Sequence, residues 1–242
     1  MMTADGLDKY FSDRFPRNGK IISMLLKDLC EQRKPEKMLF VRTSTTGRWL
    51  DLMDIPPEKE GSIVRMFYIT KDNTPVLHEN SHIVEQEGVA GFVDALEDEF
   101  DLICVDPYHE FDTSYRDLSV LTSVLSDDGI LLCHDCAPET EMSASPQFTQ
   151  GAWSGTTYAA FVKIASENPA WFFSILDTDT GIGIISKKPE WYLSQAFDQK
   201  KQIELCHLIE LKKYDEAFNL FRTSGRDIIG LLGKDSSVNA GG

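Results

Sequence analysis

A chain of 242 residues, 42% of them hydrophobic, is long enough to enclose one substantial core. Its 39 acidic and 24 basic residues give a net charge of -15, which repels phosphate backbones and anionic membrane surfaces. This negative net charge argues against binding to nucleic acid or to a membrane surface. The sequence has no apolar run of about 18 residues and no secretory signal at residues 1–15, so we expect a cytoplasmic protein.

Helical and strand patterns alternate through the first half of the chain. Apolar residues recur at helical spacing over 21–32, and short buried strands are predicted at 37–41 and 63–69. A weaker strand at 82–84 precedes an amphipathic helix at 88–100. This alternation favours a parallel sheet with helices packed against it.

The second half contains the clearest strand, at 100–106, followed by a helix at 114–125 and the strand GILLCHD at 129–135. After a loop at 139–155 and a further helix, two strands follow at 171–178 and 181–188. They are too close in sequence for a parallel crossover. We therefore predict a Rossmann-like α/β fold, with a mostly parallel sheet, helices on both faces and a terminal antiparallel hairpin.

The predicted domain organisation has three parts. An α/β domain spans 1–188 and begins with a helical lead-in at 1–36, a helical appendage spans 189–233, and a disordered tail spans 234–242. The appendage is amphipathic, which predicts packing on the domain body or on a second copy in a homodimer.

The segment GILLCHDC contains a CxxC pair, Cys133 and Cys136, which admits three interpretations. A zinc site needs two further ligands, and no second CxxC occurs. A redox motif normally opens a helix after the first strand of a small fold. The third interpretation is a strand that ends in the carboxylate of Asp135, in which case alternation along the strand would point the two thiols in opposite directions.

A second strand also ends in a carboxylate, in the segment that runs from Asp106 to His109. Ligands bind at the carboxyl ends of strands in open α/β sheets. Carboxylate oxygens suit hard cations, and an imidazole titrates in the range needed for general base catalysis. Asp106, His109 and Asp135 therefore form a candidate site.

These segments resemble class I S-adenosylmethionine (SAM)-dependent methyltransferases, in particular the small O-methyltransferase-like branch. The resemblance spans about residues 38–186 and is strongest in the second half. It is carried by FDLICVDPYHEFDTSYRDL, VLSDDGILLCHD, GAWSGTTYAAF and LDTDTGIGII.

The resemblance implies roles for several of these residues. Asp106 and Asp135 match carboxylates that bind a metal, such as Mg²⁺, in the metal-dependent members, and His109 matches a base that deprotonates the acceptor hydroxyl. Cys136 stands where the catechol type has an amide ligand, and His134 stands where some relatives have another carboxylate.

The cofactor loop departs from the family pattern, in which an acid and two glycines follow the first strand. The segment FVRTSTTGR has one glycine, and the ribose-binding acid expected after the second strand is displaced by two residues. The resemblance implies cofactor binding by the following residues: Thr43, Ser44, Gly47, Asp72, Glu87 and Asp106.

The leading functional hypothesis is SAM-dependent methyl transfer to a hydroxyl of a small sugar-like or phenolic acceptor. The loop at 139–155, with Phe148 and Trp153, would close over this acceptor. Two alternatives stay open. One is a non-catalytic binding or scaffold domain that has lost the cofactor, and the other is a cofactor-free enzyme that uses His109 and Asp135 for acid–base chemistry.

Overall fold

The computed structural model describes the following residues: 21–42, 63–68, 81–84, 89, 99–151, 153–178, 180–188 and 197–232. Most of the predicted helix at 88–100, the segment between the first two strands and the predicted tail lie outside these residues. Among the helices within these ranges, none combines the length and apolar character that crossing a membrane requires.

The strands in these ranges form one sheet in the order β3-β2-β1-β4-β5-β7-β6-β8. Their bounds are β1 Met38–Arg42, β2 Ile63–Tyr68, β3 Ser81–Val84, β4 Phe100–Asp106, β5 Leu125–Cys133, β6 Phe172–Leu176, β7 Ile182–Ser186 and β8 Leu231–Leu232. The first five strands are parallel to one another, and β7 is antiparallel to both β5 and β6. The predicted mostly parallel sheet with a terminal antiparallel hairpin is confirmed.

Five helices are described: α1 Ile21–Arg33, α2 Phe111–Ser123, α3 Thr157–Glu167, α4 Gln199–Glu210 and α5 Tyr214–Ile229. Alternate residues of each strand face opposite sides of the sheet. In β4, Ile103 and Val105 lie in a larger apolar cluster that includes residues of α2 to α5, whereas Leu102 and Cys104 lie in a smaller cluster with α1. Helices therefore cover both faces, as predicted.

The C-terminal segment is integrated into this architecture. The apolar faces of α4 and α5 contribute Leu205, Ile209 and Phe221 to the larger cluster. The chain then adds the short strand β8, which pairs in parallel with β6 and was not predicted. The proposed domain boundaries and the homodimer stay predictions.

The two cysteines of the CxxC segment are both fully buried in the larger cluster. The expectation that they point in opposite directions is wrong, because β5 ends at Cys133 and the strand alternation ends with it. The Cys136 thiol instead turns back and donates to the Cys133 carbonyl at 3.4 Å. None of the five cysteines, all of which lie in the described ranges, forms a disulfide.

Candidate active site at the carboxyl edge of the sheet

The parallel pairing of β4 and β5 brings two acidic strand ends together. Val105 is in register with Cys133, so the residues that follow each of them leave the sheet at the same edge. The His134 amide donates to the Val105 carbonyl at 2.9 Å, which continues the ladder by one step. Asp106 and Asp135 are thereby brought to one location, as the sequence predicted.

Asp135 occupies an unusual backbone conformation with φ of 60°. The next two amides hold the chain in this turn, because Cys136 donates to the Gly181 carbonyl at 3.0 Å and Ala137 donates to the Thr180 carbonyl at 2.8 Å. Gly181 has φ of 92°, and a Cβ there would lie 2.0 Å from the Ala137 nitrogen. The hairpin loop therefore needs glycine at this position to support Asp135.

His109 lies between the two carboxylates. Its Nε2 is 3.2 Å from Asp106 Oδ1 and 3.0 Å from Asp135 Oδ2. The backbone is fixed from the other side, since the Thr156 amide donates to the His109 carbonyl at 2.9 Å. Gly155 packs so closely that a Cβ on it would lie 2.0 Å from the same carbonyl oxygen. Nδ1 of His109 is buried and has no hydrogen-bond partner in the part of the chain that the structure describes.

A second imidazole joins the site from the end of β5. Nδ1 of His134 is 3.2 Å from Asp135 Oδ2 and 3.7 Å from Asp106 Oδ1, and its Nε2 is 3.3 Å from Thr180 Oγ1. His134 was not among the site residues predicted from the sequence. The available signal was its position beside Asp135, where some relatives have a carboxylate. We refer to Asp106, His109, His134 and Asp135 as the His–Asp cluster.

Ser154 completes the polar contacts of Asp135. Its hydroxyl donates to Asp135 Oδ1 at 2.8 Å, and both residues are buried. The other oxygen of Asp135 is the one that faces the two imidazoles. Ser154 therefore fixes the rotation of the carboxylate, and sequence spacing gave no indication of this role.

The electrostatics of the His–Asp cluster are those of interlocked ion pairs. Burial opposes charge on Asp106, but hydrogen bonds from His109 and His134 outweigh it and lower the pKa of this carboxyl to about 2. Burial likewise opposes charge on His109, but Asp135 and Asp106 raise its pKa to about 10. The same attractions hold the pKa of His134 well above, and that of Asp135 well below, the usual values despite burial.

The donor set fits a divalent metal ion. Asp106, His134 and Asp135 each offer one ligand atom, and these three atoms lie within 4.8 Å of one another. Two carboxylates and an imidazole are a common combination of protein ligands for divalent cations. Cys136 is not part of this set, because its thiol points to the carbonyls of Cys133 and His134.

An aromatic wall, formed by Tyr108, Phe148 and Trp153, lies beside the cluster. The Trp153 ring is 5.1 Å from the His109 ring and meets Tyr108 and Phe148 edge to face at 5.8 and 5.4 Å. Its indole N–H donates to the Ser145 carbonyl at 2.7 Å, which anchors the ring. Phe148 is 71% exposed. The wall offers an apolar surface next to the acid–base groups.

The remaining predicted cofactor residues lie outside the described part of the chain: Thr43, Ser44, Gly47, Asp72 and Glu87. The structure does describe the strands that precede them. β1 lies between β2 and β4, so the chain order of the strands reverses between β1 and β4. Ligands of doubly wound folds bind at the carboxyl edge of such a reversal, and Asp106 ends one of its two strands.

Comparison with protein families identifies the domain. Residues 17–136 match a family described as "Methyltransferase domain", and the match includes all four residues of the His–Asp cluster. The resemblance to methyltransferases is thereby confirmed for residues 17–136. A search of curated proteins found no match.

Several solved structures are similar to the chain. A methyltransferase from Podospora anserina, bound to S-adenosylhomocysteine (SAH), is 17% identical, with 76% of this chain and 87% of that chain covered and a TM-score of 0.49. An O-methyltransferase from Bacillus cereus in complex with SAH is 10% identical, with 76% and 98% covered and a TM-score of 0.45. MycE methyltransferase of the mycinamycin pathway, in complex with Mg, SAH and mycinamycin VI, is 12% identical, with 76% and 54% covered and a TM-score of 0.47.

Proposed function

We propose that this protein transfers a methyl group from SAM to a hydroxyl of a small-molecule acceptor. The observation that carries the proposal is the His–Asp cluster, which lies at the carboxyl edge of the sheet in a methyltransferase domain. Methyl transfer from SAM is a direct displacement. The protein therefore has to align the two reactants and remove the hydroxyl proton.

The cofactor would bind where the strand order reverses, between β1 and β4. Asp106 is the last residue of β4 and borders this position. The segment after β1 would supply Thr43, Ser44 and Gly47, and the segments after β2 and β3 would supply Asp72 and Glu87. The bound cofactor supplies an electrophilic methyl group, and the residues of the cluster act on the acceptor.

His109 would accept the proton of the acceptor hydroxyl. The two carboxylates hold Nε2 on one side of the ring, which orients the imidazole. Nδ1 on the other side has no partner in the described part of the chain, and the Trp153 ring lies next to the imidazole. A buried imidazole nitrogen without a partner gains a hydrogen bond when a hydroxyl reaches it. We assign Nδ1 of the neutral imidazole as the proton acceptor. The two carboxylates raise the pKa of His109 to about 10, and a cation bound to them would offset their charge and lower this pKa, so the cation would have to bind first.

Asp106, Asp135 and His134 would hold a divalent cation; the family resemblance implies Mg²⁺ in this role. When bound, such a cation acts as a Lewis acid that lowers the pKa of a nearby hydroxyl. Ser154 donates a hydrogen bond to Oδ1 of Asp135, which keeps Oδ2 directed toward His109 and His134.

The aromatic wall suggests the shape of the acceptor. Tyr108 and Trp153, the latter only 9% exposed, form the inner part of the wall beside His109, and Phe148 extends the wall toward solvent. Such surfaces pack against planar rings and against the apolar face of a sugar. We therefore propose a phenolic or sugar-like acceptor, enclosed by the loop that carries Phe148 and Trp153.

The test combines cofactor binding with product analysis. Calorimetric titration with SAH is expected to show saturable binding, and incubation with methyl-labelled SAM and a panel of catechols and sugars is expected to give a labelled methyl ether. His109→Ala should abolish most of this product while SAH still binds. His207→Ala is the matched control, because His207 is an exposed histidine on α4. A protein that binds no SAH at millimolar concentration would instead support the scaffold or the cofactor-free enzyme.

A further inference from the structure

We propose that His134 is a direct ligand of the metal and makes this site selective for first-row transition ions such as Mn²⁺, Co²⁺ or Zn²⁺ over Mg²⁺. The inference rests on the proposed function only for the place of the metal. It concerns His134, which stands where some relatives have another carboxylate.

The distances between donor atoms suit a shared metal. Metal–nitrogen and metal–oxygen bonds of about 2.0–2.2 Å place neighbouring ligand atoms about 2.9–3.5 Å apart in octahedral or tetrahedral sites. Nδ1 of His134 is 3.2 Å from Asp135 Oδ2 and 3.7 Å from Asp106 Oδ1. Neither of these two distances exceeds the coordinated range by more than a few tenths of an ångström, and all three donor atoms lie within 4.8 Å of one another.

The orientation of the His134 ring also suits coordination through Nδ1. Its Nε2 lies 3.3 Å from Thr180 Oγ1, on the side of the ring away from the carboxylates. When Nε2 carries the proton and donates it to this hydroxyl, Nδ1 presents its lone pair toward Asp106 and Asp135. Metal-binding histidines generally donate their other ring N–H in this way. The Thr180 carbonyl accepts from Ala137, which fixes the loop that carries the hydroxyl.

The two carboxylates are oriented by other donors in the same manner. Ser154 holds Oδ1 of Asp135 and leaves Oδ2 for the metal. His109 Nε2 lies within 3.2 Å of both ligand oxygens, so it donates to the carboxylates while His134 coordinates beside them. The two histidines therefore have different tasks: one supports the ligands and the other is a ligand.

The chemistry of the three donors predicts the choice of metal. Mg²⁺ binds oxygen ligands in near-ideal octahedral geometry, whereas imidazole favours transition ions. The Cys136 thiol, which stands at the amide position of the catechol type, bonds to backbone carbonyls instead of entering the site. With His134 as a ligand the donor set contains a nitrogen, so it is not the all-oxygen set that Mg²⁺ prefers.

The closing experiment measures metal binding directly on the purified full-length chain after chelation and dialysis. Titration with Co²⁺, followed by visible absorption and calorimetry, is expected to give one site whose spectrum shows nitrogen ligation. Co²⁺ should bind at least about 100-fold more tightly than Mg²⁺. His134→Asp restores a third carboxylate, so the ratio of the two affinities should fall by about tenfold or more. His207→Asp, at an exposed histidine, should leave the ratio unchanged.

A second variant covers the case in which His134→Asp does not fold, as judged by circular dichroism. Thr180→Val removes the hydroxyl that orients the ring and is expected to weaken Co²⁺ about tenfold while changing Mg²⁺ little. No Co²⁺ binding to the native chain, or an unchanged affinity ratio in the folded variants, would overturn the inference. SAH binding, measured without metal, separates the two proposals: SAH binding without a Co²⁺ site rejects only the metal ligand, and a Co²⁺ site without SAH binding rejects only methyl transfer.

Discussion

Two buried acidic regions of this molecule have opposite electrostatics. In the His–Asp cluster, Asp106 and Asp135 each contact two imidazoles, and their pKa values are lowered despite burial. Asp117 of α2 is also fully buried, but it accepts from the Val89 amide at 3.2 Å, and burial raises its pKa to about 7. Burial alone therefore favours the neutral acid, and the two histidines reverse this effect. A buried carboxylate kept charged by two imidazoles is suited to a cation or to proton transfer.

The largest expected effect is that of His109→Ala on methyl transfer. Loss of a general base typically lowers turnover by about 10²–10⁴-fold. The affinity for SAH should change little, because His109 contacts the carboxylates and Trp153 rather than the ends of β1 and β2. Initial rates at saturating SAM, together with SAH calorimetry, check both parts. Turnover within a few-fold of the native value would show that His109 only supports the carboxylates.

The next effect concerns Asp117 and the pH dependence of stability. Its folded pKa of about 7 lies above the ordinary carboxyl value, so its contribution to stability is present below pH 4 and is lost as the pH rises through 7. Asp117→Asn removes this loss. Between pH 4 and 8, the free energy of unfolding of the variant relative to the native chain should rise by up to about 4 kcal/mol, at about 1.4 kcal/mol per pKa unit.

Urea unfolding at several pH values measures this difference. Asp112→Asn is the matched control, because Asp112 lies on the exposed side of the same helix. A relative stability that is flat across this pH range would mean that Asp117 is ionised in the folded protein, and the contrast with the His–Asp cluster would disappear.

Ser154→Ala tests how far the cluster depends on orientation. The variant leaves both carboxylates in place but removes the hydroxyl that donates to Asp135 Oδ1 at 2.8 Å. Losing such a supporting contact usually costs about 10–100-fold in metal affinity. Co²⁺ titration is the readout, and Ser166→Ala on α3 is the control because its hydroxyl bonds only to a carbonyl of its own helix. An unchanged Co²⁺ affinity would show that Oδ1 is not held by Ser154 in solution.

The parts of the molecule that sequence could predict are those set by periodicity and short spacing. The buried strands ending in Asp106 and Asp135 predicted a common edge, and the short interval between β6 and β7 required an antiparallel hairpin. The two-residue strand β8 was missed because so short a segment shows no period. The predicted direction of the Cys136 side chain was wrong because the strand alternation was applied beyond Cys133, where β5 ends.

The site was predictable only along single segments of the chain. His109 was found because it follows Asp106 by three residues, whereas His134 was noted only as standing where some relatives have a carboxylate and was left out of the candidate site. At Asp135 the backbone turns sharply with a φ of 60°. This turn could not be predicted from the sequence, because glycine is the residue that usually adopts that conformation. Ser154 and Thr180 reach the cluster from loops 19 and 46 residues away from their partners, and no local pattern reports such contacts.

The smallest effect distinguishes the aromatic wall from the charged groups beside it. Phe148 is 71% exposed, and its ring meets that of Trp153 edge to face at 5.4 Å. Phe148→Ala should raise the KM for the acceptor by about 2–10-fold, the loss of one partly buried aromatic contact of about 0.5–1.5 kcal/mol, and leave kcat unchanged. Met142→Ala removes a side chain that is 67% exposed in the same loop and should change neither value. If both variants raised KM equally, the loop as a whole would enclose the acceptor; if kcat fell with Phe148 alone, the wall would help to place the hydroxyl at His109.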